Sequence, residues 1–108
     1  MLLVRLYRVE DKEVMVMDGS RDFMPETGAI RLLASRESGV GADRVIVYCG
    51  KQHKTGFRVF TADGSEKELT AEDSLLLSRQ QADIEVRLTD TFVSRMRLAD
   101  EEKLAAAC

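Results

Sequence analysis

The sequence predicts an α+β domain with more strand than helix. Three observations carry this. Short apolar runs rich in β-branched residues recur at 2–8, 13–18, 44–49 and 57–62. Only two internal stretches, 25–37 and 70–81, combine helical spacing with end signals. Turn residues such as Asp63-Gly64 separate the runs. With 108 residues, 44% of them apolar, the chain suits one domain over 1–108 with a modest core.

The first two runs, "LLVRLYR" and "EVMVMD", flank the charged "VEDK" and read as an N-terminal hairpin. Leu2, Val4 and Leu6 alternate with Leu3, Arg5 and Tyr7, so one face of the first strand is drier. Pro25 suits a first helical turn, Glu26 complements the positive helix end, and Ile30, Leu33 and Ala34 share one face. Arg36 then falls in the last turn, with Gly39 as a left-handed terminator. "RVIVYC" (44–49) reads as a buried strand. "FRVFTA" follows as another, with Phe57 and Val59 facing one way and Arg58 and Phe60 the other. Asp63-Gly64 is a two-residue hairpin signal. Thr70 caps the next helix and Asp73 closes a capping box. "DIEVRL" and "TFVSRMRL" alternate and are expected to pair as strands, the first presenting Ile84, Val86 and Leu88, the second Phe92, Met96 and Leu98. "ADEEKLAAAC" is expected to be a short or frayed terminal helix.

The formal charge is −3, and the basic residues are spread singly along the chain, which gives no footprint for nucleic acid or an anionic membrane. No targeting or membrane-spanning segment is expected, because Arg5 and Arg8 interrupt the apolar opening. Cys49 and Cys108 form neither a metal-ligand spacing nor a disulfide framework. A cytoplasmic protein without metal or cofactor is the expectation.

Two segments in fixed order, "RLLASRESGVGADRVIVY" and "FRVFTADGSE", resemble the N-terminal half of the diaminopimelate epimerase family. The similarity extends back to "VMVMD" and covers about residues 1–80. It implies a mixed, curved sheet packed on one or two helices, as the first of two similar domains with an active site in the cleft between them. The family's chemistry is cofactor-free inversion at an amino-acid α-carbon by two cysteines, one removing the α-proton and the other returning one to the opposite face. Helix N-termini hold the substrate carboxylate there.

The departures from the family pattern all fall on the chemistry. Thr70 stands at the position of the catalytic cysteine, in "LTAED", and its hydroxyl ionises too high to serve as a base at neutral pH. The cysteine motif's glycines become Ala71 and Asp73, and its asparagine becomes Glu72. Glu72 and Asp73 thereby bring the protein's own carboxylates to the helix N-terminus, which stabilises the helix by roughly 0.3–1 kcal/mol and repels an anionic ligand. Thr61 replaces the hairpin asparagine, Arg44 stands where many members have glutamine, and Asp11, Lys12 and Glu13 replace a Gly-Asn-Asp motif. By position, Thr61, Arg44, Thr70, Ala71 and Glu72 are the candidate ligand-binding residues.

Other candidates weigh less. Cys49 is the one remaining thiol for catalysis, but a cysteine in an apolar strand is more commonly buried and inert. His53, in the loop "KQHK", has no second ligand or nucleophile beside it, and Cys108 ends the chain. "GVG" follows a helix and precedes a strand, the wrong order for a dinucleotide site. Arg87, Arg95 and Arg97 suit a solvated sheet face, and Met15, Met17, Met24 and Met96 suit core or dimer contacts. The helix after Thr70 is too polar at Arg79, Gln80 and Gln81 to be enclosed all round. It is therefore either short or lies on an open sheet whose edges invite another chain.

Three functions follow as expectations. The first is a non-catalytic epimerase-like binding module, homodimeric, with a small ligand between the copies. The second is a cofactor-independent amino-acid epimerase or racemase, with Cys49 as its thiol. The third is a partner of a full-length epimerase.

Overall fold

A computed structural model describes residues 2–19, 23–50, 56–79 and 82–107, with the backbone alone for 102–107. His53, Gln80, Gln81 and Cys108 lie outside these residues. The chain is α+β. Its elements run β1 (Leu2–Val9), β2 (Lys12–Asp18), α1 (Thr27–Ala34), β3 (Arg44–Tyr48), β4 (Phe57–Thr61), β5 (Glu66–Lys67), α2 (Ala71–Leu77), β6 (Ile84–Leu88) and α3 (Asp90–Ala107). The strands form one mixed sheet in the order β5-β4-β3-β2-β1-β6. β2 and β3 are parallel, joined by a crossover through α1, and the other neighbours are antiparallel.

Strand alternation gives the sheet two distinct faces. On the first, Val4, Leu6, Met15, Met17, Val45, Val47, Phe60 and Leu88 pack under Ile30 and Leu33 of α1 and Met96 of α3. On the second, Tyr7, Val14, Ile46 and Val59 pack under Leu76 of α2. The drier face of β1 is the one expected from its alternation. Tyr7, on the wetter face, is nonetheless only 4% exposed because α2 covers it.

The predicted strand 91–98 is a correction, because those residues are helical. Alternation of Phe92, Met96 and Leu98 mimics a strand, but Phe92, Val93 and Met96 also fall on one helical face, and that face meets the core. Thr89 caps the start: its hydroxyl accepts from the Phe92 N–H at 3.1 Å and its carbonyl from the Val93 N–H at 3.0 Å. β6 therefore pairs with β1, and Arg95 and Arg97 share no strand face with Arg87.

α1 is shorter than predicted at both ends. Asp100 of α3 accepts from the Glu26 N–H at 3.0 Å and the Ala29 N–H at 2.6 Å. It thus supplies the cap from another helix and leaves Glu26 extended, with Pro25 before the helix. The Glu26 carboxylate turns instead to the Arg58 guanidinium, which also grips Glu66 on β5 at 2.8–3.1 Å. At the C-terminal end Ser35 is already extended, and Arg31 rather than Arg36 occupies the last turn. The Val40 and Gly41 N–H groups close back on the Leu33 carbonyl, and Ala42 on that of Ala34. Gly41, at φ 91, is the left-handed residue. Gly39 is needed for proximity, since a Cβ there would lie 2.1 Å from the Leu32 carbonyl oxygen. Asp43 ends this turn by donating its N–H to the Glu13 carbonyl at 2.8 Å and accepting from the Glu13 N–H through its carboxylate, also at 2.8 Å.

The Asp63-Gly64 hairpin is a three-residue loop. Thr61 pairs with Ser65 across Ala62, Asp63 and Gly64, and Gly64 alone is left-handed, at φ 89. Asp63 stays at negative φ because its carboxylate accepts from the Thr61 hydroxyl and the Ser65 N–H, as an Asx turn does. Those bonds lower its pKa to about 2.

Candidate functional site

A cleft of about 450 Å³ lies between the β1–β2 hairpin tip and α2. Val9, Val14, Leu75 and Leu76 give it apolar walls, and Glu10, Lys12, Arg44, Thr70, Glu72, Asp73 and Arg79 give it polar ones. Three of the five candidate residues, Arg44, Thr70 and Glu72, therefore meet at one place. Thr61 faces Arg44 across the β3–β4 register but does not line the cleft, and Ala71 is exposed beyond it.

The α2 end of the cleft is closed by the chain's own groups. Thr70 is the N-cap, and its hydroxyl accepts from the Asp73 N–H at 3.1 Å. The Asp73 carboxylate returns to accept from the Thr70 N–H at 2.9 Å, completing the predicted capping box. Arg44 then clamps the same carboxylate in a fork, Nε to Oδ1 at 3.0 Å and Nη2 to Oδ2 at 2.6 Å. Asp73 is only 5% exposed. Burial alone would raise its pKa, but the Arg44 and Thr70 hydrogen bonds outweigh that and hold it below the ordinary value. The N-terminus of α2 is thus filled by the chain's own Asp73 carboxylate, and Arg44 is committed to neutralising it.

α2 ends at Leu77. Leu76 is buried while Leu75 is 71% exposed at the cleft lip, so the helix is both short and laid on an open sheet. Glu10 holds φ 59 at the hairpin tip, where glycine is the usual residue, and with Lys12 forms the opposite wall. Glu10 and Arg79 carry no sequence signal as cleft residues, whereas Lys12 falls in the stretch 11–13 that the resemblance singles out. The hairpin and the end of α2 are far apart in the chain, so no local pattern brings Glu10 and Arg79 together.

Cys49 lies away from this cleft. It follows β3 on the first face, 2% exposed, and its thiol donates to the Val47 carbonyl at 3.2 Å. Burial pushes its pKa up, although the nearby Arg58 acts to lower it. A thiol held so is a poor base. Among the described residues no cluster of His, Cys, Asp and Glu forms a metal site, and no helix is long and apolar enough to cross a membrane. No protein-family model matches the chain.

Proposed function

We propose that the chain is a non-catalytic, diaminopimelate epimerase-like half-domain that serves as a binding and interaction module, cytoplasmic and homodimeric. The observation that carries this is the Thr70–Asp73–Arg44 closure. The residue at the catalytic-cysteine position is spent as a helix cap, and the helix start it caps is occupied by a protein carboxylate. Arg44, from the first matched segment, and Thr70 and Glu72, at the positions of the family's cysteine motif, line one cleft, which supports descent from an epimerase-like domain. Cys49, buried and with its pKa raised, argues against the isomerase reading.

What remains open in the cleft is a mixed surface. Lys12, Arg79, Glu10 and Glu72 have no ion-pair partner among the described residues, and they surround the apolar Val9, Val14 and Leu75. Such a lining suits a small amphipathic molecule with charge at its ends. The cleft is built by one chain, so each copy of the proposed dimer carries its own.

The binding role is tested by a thermal-stability screen of small amino, carboxylic and guanidino compounds. At least one class is expected to raise Tm by a few degrees, with the gain lost in Lys12→Ala or Arg79→Ala. A ligand at a hundred times its Kd stabilises by about 2.7 kcal/mol, well within reach of such a screen. A screen without any shift, or shifts unchanged by both variants, would overturn the binding role.

A further inference from the structure

We propose that two copies join through the outer edge of β6, antiparallel about a two-fold axis at Val86, so that two six-stranded sheets become one. This rests on the homodimer reading above and names the surface.

β6 is the last strand of the sheet, paired on one side with β1 and with no strand on its other side among the described residues. An edge strand leaves alternate N–H and C=O groups unpaired, a template for another chain. The opposite edge is blunted. β5 has two residues, Glu66 and Lys67, and the Arg58 guanidinium clamps Glu66. β6 has five residues, Ile84-Glu85-Val86-Arg87-Leu88, without proline or glycine.

Its side chains specify one register. Ile84, Val86 and Leu88 lie on the first face, where Leu88 and Val86 join the core and Ile84 remains 42% exposed. Glu85 and Arg87 lie on the second face, opposite Arg5 and Leu3 of β1. With the axis at Val86, Glu85 meets the partner's Arg87 twice over, Ile84 meets the partner's Leu88, and Val86 meets its own copy. An axis at Glu85 sets two carboxylates opposite each other, and one at Arg87 sets two guanidinium groups opposite each other. Both are destabilising. An axis between residues pairs apolar positions with charged ones and mismatches the faces. Among the axes that pair at least three residues of β6, the charge pattern therefore admits one symmetric arrangement, which covers the exposed Ile84 and satisfies the free edge. A five-residue edge buries less than the roughly 800 Å² per partner of a standard interface, so the dimer is expected to be concentration-dependent.

The test uses light scattering from micromolar to millimolar protein, with folding of each variant checked by circular dichroism. The wild type is expected to pass from monomer to dimer mass. Arg87→Glu sets Glu85 against a second glutamate, and Glu85→Arg sets Arg87 against a second arginine, so each variant alone is expected to weaken dimerisation at least tenfold. An equimolar mixture of the two restores both opposite-charge pairs and is expected to recover the dimer. Amide exchange over Ile84–Leu88 is expected to slow as wild-type concentration rises, a readout independent of the variants. A wild type that stays monomeric would overturn both the homodimer and this surface. A wild-type dimer unaffected by either variant, or a mixture that stays monomeric, would overturn the surface alone.

Discussion

Gly28→Ala is expected to destabilise the protein by about 3 kcal/mol and lower Tm by roughly 10–20 °C, combining overpacking with the loss of a helix cap. Glycine inside an exposed helix normally gains about 0.5–1 kcal/mol on replacement by alanine, so the sign itself is diagnostic. Here α1 crosses α3 so closely that a Cβ on Gly28 would lie 2.4 Å from the Ala99 carbonyl oxygen and 3.0 Å from the Asp100 backbone nitrogen. Both neighbours are backbone, so relief requires the helices to part. Parting them withdraws the Asp100 carboxylate from the Glu26 and Ala29 N–H groups, and uncaps α1. Chemical denaturation of the single variant measures the effect. A neutral or stabilising result would mean that the two helices do not meet as described.

Asp73→Asn is expected to cost about 2–4 kcal/mol, less than a fully buried pair because Arg44 retains some access to water. The change weakens the capping box and leaves the Arg44 guanidinium, whose side chain is 26% exposed, without a counter-charge. The same carboxylate gives the wild type a signature in acid. Burial opposes its ionised form, but Arg44 and Thr70 prevail and keep the folded-state pKa below the unfolded value of about 3.8. Its contribution is therefore complete above that value and is lost as pH falls through the lower, folded-state value. Denaturation midpoints measured from pH 6 to pH 2 are expected to fall more steeply for wild type than for Asp73→Asn. Parallel curves would remove Asp73 from the account.

The elements that sequence made legible are those whose partners lie nearby in the chain. The hairpin of β1 and β2, the runs that become β3 and β4, and the Thr70–Asp73 capping box are all set by local pattern. α3 is not legible because alternating Phe92, Met96 and Leu98 obscure the helical triad Phe92, Val93 and Met96, and the Thr89 cap stands just before a run that looks like a strand. The start of α1 was misplaced because its cap, Asp100, comes from the far end of the chain. The candidate site was legible in part for the same reason. Arg44, Thr70 and Glu72 are legible by their position relative to the family's motifs. Glu10, Lys12 and Arg79 reach the cleft only when the sheet brings the hairpin beside α2. The fork from Arg44 to Asp73 joins residues on β3 and α2, and no local signal announces it.

The central claim, that the ancestral chemistry has been closed, is tested most directly by proton exchange. The protein is incubated in heavy water with diaminopimelate and a panel of other amino acids, and the α-proton signal is followed by NMR. The account expects no loss of that signal beyond the buffer rate, in the wild type and in Cys49→Ser alike. Enzyme-dependent loss of an α-proton, abolished by Cys49→Ser, would contradict it and restore an isomerase.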